Sequence, residues 1–304
     1  MRFALIAASL IATTACTTGD VGLSPLGQLN TPTNSLIFDS EETAQAGMDG
    51  NTCEVDADSG EIGTDIDVAE NDDVVIDECD DYVLVLGTDG LHLYEPSQMS
   101  GDTAFWGGEF DVPDPTVPGS DLSAGVLLNS GRVVAIRSAG DTHTVLWPGG
   151  ATTLLPGAIT GDLDVDPDGG TLFASIGGDV YAVTPQGATL FASGELVSWD
   201  RTAGVAYVAG RMSNNVRVLD SAGTALRNIA IEGQVQDLAA IAGDVGVITG
   251  GFRGPAELRR HDGDDGTLLG VQGVRDASAR LIASPGGTRL AVTLGNHTQF
   301  YAVR

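Results

Sequence analysis

Short apolar runs punctuated by turn residues dominate the chain from Val74 onward. In Asp162–Ala192 (DLDVDPDGGTLFASIGGDVYAVTPQGATLFA) the runs Thr171–Ser175, Val180–Val183 and Ala188–Ala192 each follow a turn signal. The three signals are Asp166-Pro167-Asp168-Gly169-Gly170, Gly177-Gly178-Asp179 and Pro185-Gln186-Gly187. Short runs rich in Val, Leu, Phe and Tyr, broken by Gly, Asp and Pro, predict an antiparallel meander.

The unit recurs along the chain. Asn129-Ser130-Gly131 leads into RVVAIR, the Asp200–Gly204 segment into VAYVA, Gly243-Asp244 into VGVIT, and Ser284-Pro285-Gly286-Gly287 into RLAVT. Glycines 131, 170, 204, 243 and 287 stand 39, 34, 39 and 44 residues apart. A further strand follows most of them, and YVLVL with LHLY repeats the unit upstream. A period near 40 built from about four short strands is the mark of a β-propeller. The expected fold is therefore all-β: one propeller of six four-stranded blades at 74–108, 121–156, 160–193, 195–232, 235–272 and 276–304. A seventh blade follows if residues 39–73 form a degenerate one. The last blade is one strand short, and rings need closure to protect their edges. A strand from the N-terminal side is expected to complete it, with Asn34–Phe38 the first candidate and Val74–Ile76 the second.

Charge divides the chain. Lysine is absent, Asp (31) outnumbers Glu (11), and the net charge is −28. No basic residue lies between Arg2 and Arg132, a span with 25 of the 42 carboxylates. Such a field excludes nucleic acid as a partner. Residues 34–73 read as an acidic surface insertion largely without regular structure, apart from a ring-closing strand, and 74–304 as the propeller. Within the insertion Asp56, Asp58, Glu61, Asp65 and Asp67 lack a spacing that selects a metal geometry and read as solvated.

The turns at 166–169 and 284–287 resemble the S-P-D-G turn of WD-repeat-like and lactonase-type bacterial propellers. That resemblance spans roughly residues 74–304 and concerns architecture. The Gly-His and Trp-Asp dipeptides of true WD repeats are missing, and Trp199-Asp200 ends a first strand rather than a third. At the N-terminus, Arg2, the apolar Phe3–Ala12 and the small Thr13-Thr14-Ala15 form a signal peptide over 1–15. Ala15-Cys16 resembles the lipobox of bacterial lipoproteins, with Thr13 departing from the usual Leu; an ordinary signal peptide cleaved after Ala15 is the alternative. The lipobox resemblance implies diacylation of Cys16, a flexible tether over 16–33 and, with Thr17 rather than Asp next, the outer membrane of a Gram-negative cell, facing the periplasm or the surface. Cys53 and Cys79 then remain as an even pair in an exported chain, and read as a disulfide closing a 25-residue loop. Such a bridge gives about 3 kcal/mol.

Candidate chemistry is sparse. Asp164, Asp166, Asp168 and Gly169 make the D-x-D-x-D-G opening of a calcium loop. Ser175 stands where an EF-hand needs its bidentate Glu, whereas a β-turn needs only the residues present. In the turn reading Asp162 and Asp164 sit on an inner strand facing the channel. His92, His143, His261 and His297 show no metal-ligand spacing. No G-x-S-x-G elbow occurs, and the absence of lysine excludes a Walker A loop and Schiff-base chemistry. Arg253, Arg259, Arg260 and His261 form one basic cluster, with a solvated strand as the plain reading. The expected function is a non-catalytic binding or scaffold module, lipid-anchored in the cell envelope and engaging an envelope protein. The alternative is a calcium-dependent lactonase or esterase. The resemblance to gluconolactonase-like propellers implies calcium at the channel mouth, with Asp164, Asp237 and Asp276 as candidate ligands.

Overall fold

The computed structural model describes residues 22–31, 35–38, 41–48, 51–66, 74–79, 82–87, 90–94, 122–128, 132–166, 170–250, 256–294 and 297–304. The signal peptide, Cys16, Asp67, Asp168 and Arg253 lie outside the described residues. Every regular element described is a strand, and no helix among the described residues is long and apolar enough to cross a membrane.

The described strands form seven antiparallel sheets. The first holds β2 (Ser35–Phe38), β3 (Thr43–Met48), β4 (Asn51–Asp56) and β5 (Ile62–Ile66). Three strands make the second, β6 (Val74–Cys79), β7 (Tyr82–Gly87) and β8 (Gly90–Tyr94). The third runs through β9 (Leu122–Leu128), β10 (Arg132–Ala139), β11 (Thr142–Leu146) and β12 (Thr152–Leu154). The fourth contains β13 (Leu163–Asp166), β14 (Thr171–Ile176), β15 (Asp179–Thr184) and β16 (Gly187–Ser193). In the fifth are β17 (Leu196–Asp200), β18 (Val205–Ala209), β19 (Asn215–Asp220) and β20 (Ala225–Ala230). The sixth comprises β21 (Val235–Ile241), β22 (Asp244–Thr249), β23 (Ala256–Asp262) and β24 (Leu268–Val274). The last joins β25 (Arg280–Ala283), β26 (Arg289–Leu294) and β27 (His297–Val303) to β1 (Leu23–Leu29). First strands lie beside first strands: β2 by β6, then β9, β13, β17, β21, β25 and β2 again.

Burial explains the apolar runs. Second strands are covered on both faces, so β18 is buried throughout and β22 at five of six positions. Fourth strands lie outermost, and Leu154, Leu190, Leu226 and Leu268 are exposed there. Separate cores fill the gaps between consecutive sheets. Phe173 stacks on Trp199 at 5.3 Å between the fourth and fifth, and Phe38 meets Phe300 edge-on at 5.9 Å between the first and last.

Two expectations are corrected. The stretch after residue 34 is a sheet, not an irregular insertion: Leu36, Phe38, Ala44, Ala46, Cys53 and Val55 are buried at alternate positions. Its period-2 pattern is carried by alanines and one cysteine, small residues that register weakly as a strand signal. The strand beside β27 is β1, with Leu23 opposite Val303, and neither Asn34–Phe38 nor Val74–Ile76, which begin their own sheets. The insert Ser24-Pro25-Leu26-Gly27 conceals β1 in the sequence, and a register shift between Pro25 and Gln28 accommodates it. Gly27 also passes so close to the Asp56–Gly60 turn that a Cβ there would lie 2.0 Å from the Gly60 nitrogen.

Arg260 joins the residue before β1 to the residue after β27. Its guanidinium pairs with Asp244 at 2.7 Å, donates to the Arg304 carbonyl at 2.8 Å and reaches the Gly22 carbonyl at 3.4 Å. With both partners nearly buried, Arg260→Gln should lower stability by about 2–4 kcal/mol in denaturant titration. Faster amide exchange should appear first in β1 and β27.

Candidate functional site

The first strands β2, β13, β17, β21 and β25 wall a cavity of about 580 Å3. A first strand has a hydrogen-bonded partner on one side only, so half its N–H groups face the neighbouring sheet without a ladder. Side chains from the preceding sheet take them. Asp162 and Asp164 accept from the N–H groups of Val197 (3.3 Å) and Trp199 (2.7 Å). Ser198 accepts from Ala240 (3.1 Å), Asp200 from Gly243 (2.7 Å), and Asp237 from Leu281 (2.8 Å). Glu41, between β2 and β3, binds Ser284, Gly286 and Thr288 of the last sheet.

Opposite charges gather where these strands begin. Arg211, in the β18–β19 loop, stands 3.7 Å from Asp162 and donates to the Gln236 carbonyl at 2.9 Å. Its backbone N–H goes to Glu195 at 3.0 Å. Arg280 lies 3.4 Å from Asp237 and is half exposed, while Asp237 is buried. A register shift in β21 between Val235 and Asp237 accompanies the inward placement of that carboxylate. Met212, next to Arg211, has left-handed backbone at φ 63°, an uncommon state for a residue with a side chain.

Burial sets the protonation of this mouth. The Asp162 carboxyl is pushed up to about 7, first by burial and then by the charge of Asp237, against the opposing pull of Arg211. Burial raises Asp164 as well, offset in part by the Trp199 and Val165 N–H groups, and raises Asp237 against the Leu281 N–H and Arg280. For Glu41 burial works upward too, but the hydrogen bonds from Ser284, Thr288 and Gly286 prevail and hold it below the usual range.

The residues singled out in the sequence fall in different places. Asp164 and Asp237 line the cavity, whereas Asp276 lies in an exposed turn outside its wall and accepts from the Ser278 N–H at 2.8 Å. Asp166 ends β13, and its carbonyl takes the Gly170 N–H at 2.9 Å, closing the turn. Among the described residues no three His, Cys, Asp or Glu side chains come together as a metal site. Cys53 is buried in β4; the side chain of Cys79 lies outside the described residues. Within the basic cluster, Arg259 is held by Glu257 (2.7 Å) and Glu232 (3.2 Å), and Arg260 by Asp244 and the Gly22 and Arg304 carbonyls. Sequence reasoning missed Arg211, Arg280 and Glu41, whose roles depend on contacts 16 to 247 residues away.

One signal was available. Asp56–Gly60, Asp166–Gly170, Asp200–Gly204 and Asp262–Gly266 all read D-x-x-x-G, with the glycine N–H on the aspartate carbonyl at 2.7–2.9 Å. Their glycines have φ of 62–79°. In three of them the carboxylate also caps N–H groups inside the loop. Of the candidate ion ligands, Asp166 heads one of these loops.

Solved structures share this arrangement. The WD40 β-propeller domain of Doa1 matches with TM-score 0.62 and 14% identity, covering 92% of this chain and 96% of that one. This chain has the β-propeller fold. The β-propeller domain of Cps50 (Swd1) from Myceliophteria thermophila matches with TM-score 0.64 and 13% identity, over 93% and 100%. A chain of a Mitotic Checkpoint Complex matches with TM-score 0.64 and 15% identity, over 99% of both. No protein-family model and no curated protein matches the propeller's sequence.

The raised Asp162 carboxyl has a defined effect on stability. Between its ordinary 3.8 and about 7, the folded propeller holds a proton that the unfolded chain releases, so this group's contribution is lost as pH rises through that window. Asp162→Asn keeps an acceptor for the Val197 N–H and removes the charge. The variant should match the wild type near pH 4 and exceed it by roughly 1–3 kcal/mol at pH 8, measured by denaturant titration at both pH values.

Proposed function

We propose that the chain is a seven-bladed propeller ring closed by β1, working as a non-catalytic binding or scaffold module of the cell envelope. The observation that carries this reading is the use made of the inner carboxylates. Asp164, Asp200, Asp237 and Glu41 accept backbone N–H groups of the adjoining sheet, so the polar groups of the channel hold blades together. Recognition then falls to the loops and faces that a rigid ring displays. One structural neighbour belongs to a multiprotein complex, which favours a protein partner here as well.

Export and anchoring complete the proposal. Diacylated Cys16 holds the ring at the outer membrane, facing the periplasm or the surface, through the tether over 16–33; two acyl chains suffice for stable attachment. A Cys53–Cys79 disulfide ties β4 of the first sheet to β6 of the second. The partner is an envelope protein, and the acidic first half favours a basic face on it.

Expression in a Gram-negative host tests these points together. Intact-mass measurement should show diacylglycerol on Cys16 and two fewer hydrogens across Cys53 and Cys79, and Cys16→Ala should release the chain to the soluble fraction. Chemical cross-linking in the envelope should capture the same protein partner for the wild type in repeated isolations. Calcium-dependent stabilisation lost in Asp164→Asn, together with lactone hydrolysis, would replace this reading with the calcium-dependent enzyme.

A further inference from the structure

The mouth where β13, β21 and β25 begin contains an anion and a cation that the fold leaves partly unanswered. The side chain of Asp162 is largely buried, yet its polar contacts are long: the Val197 N–H at 3.3 Å and the Arg211 guanidinium at 3.7 Å. Arg280 has the opposite condition. Its side chain is 54% exposed and its ion pair with Asp237 spans 3.4 Å. Both residues line the same cavity, which Leu36, Phe38 and Leu238 also border.

We propose that this mouth binds a small zwitterion of the α-amino-acid class, with its ammonium group on Asp162 and its carboxylate on Arg280. A lone cation would meet Arg211 and Arg280 at the same mouth. A lone anion would meet Asp162, Asp237, Asp164 and Glu195. A zwitterion adds no net charge, answers the buried carboxylate with a compact donor, and offers Arg280 a planar acceptor for its fork of N–H groups.

The site has a pH sense. The groups facing Asp162 are Asp237 and Arg280 on the neighbouring first strands, Arg211 in the β18–β19 loop, and Asp164 on its own strand. The ammonium needs the ionised form of Asp162, which burial and Asp237 disfavour below neutral pH. Affinity therefore rises as pH increases from 6 to 8.

Isothermal titration of the full chain with glycine, alanine, leucine, serine and glutamine tests the proposal, with butylamine and butyrate as single-charge controls. At least one amino acid should bind about tenfold or more tightly than either control. Asp162→Asn and Arg280→Gln should each reduce that affinity about tenfold or more; the thermal midpoint should stay at or above the wild-type value in Asp162→Asn and fall in Arg280→Gln, which takes the cation from buried Asp237. Binding of none of the five amino acids, equal binding of butylamine, or unchanged affinity in both variants would overturn it. The site is independent of the partner-binding reading, since Arg280→Gln that still captures the envelope partner but loses the amino acid separates the two.

Discussion

A ring of small sheets must satisfy the inner edge of every first strand. Each such strand has a ladder on one side and a neighbouring sheet on the other, and that neighbour offers no parallel backbone to pair with. Asp162, Asp164, Ser198 and Asp237 satisfy that edge in β17, β21 and β25, while Asp200 and Glu41 hold the turns after β21 and β25 in the same way. A buried N–H left without a partner costs about 1–3 kcal/mol, so the placement of the fourth to last sheets, and of the first against the last, depends on these few acceptors. The apolar cores between sheets supply adhesion without direction; the carboxylates supply register.

This division accounts for what was legible. The all-β class, the period near 40 and the individual strands of the last four sheets follow from apolar runs covered on both faces, a pattern that survives without alignment. Two elements were concealed for a common reason. The first sheet is built on Ala44, Ala46 and Cys53, and β1 contains Pro25 and Gly27, so neither shows the bulky alternation that marks a strand. Small residues suffice there because the sheets approach closely, as the Gly27–Gly60 contact shows.

The site was legible in fewer of its parts. The aspartates of 162–168 stand out in the sequence, but their spacing alone does not separate ion binding from turn building. The repeated D-x-x-x-G loops decide for Asp166, and the cross-sheet N–H groups define the place of Asp164. They also explain why Asp exceeds Glu so strongly: a one-methylene carboxylate reaches its own loop backbone, whereas Glu overshoots it. Arg211 and Arg280 carry no local mark at all, because their chemistry exists only once three sheets have met.

The pairing of Leu23 with Val303 places one seam between the first and the last of the described strands. Hairpins within each sheet can form as soon as their own residues are present, but this seam waits for the whole polypeptide. Loop-closure entropy grows only logarithmically, so a loop of this length costs about 3–4 kcal/mol more to close than a hairpin of a few residues. The delay is therefore one of order more than of energy. Until β1 docks, β27 presents an open edge to any other strand. Once β1 is in place, β27 is paired on both sides, and the last sheet no longer offers that edge to a second chain.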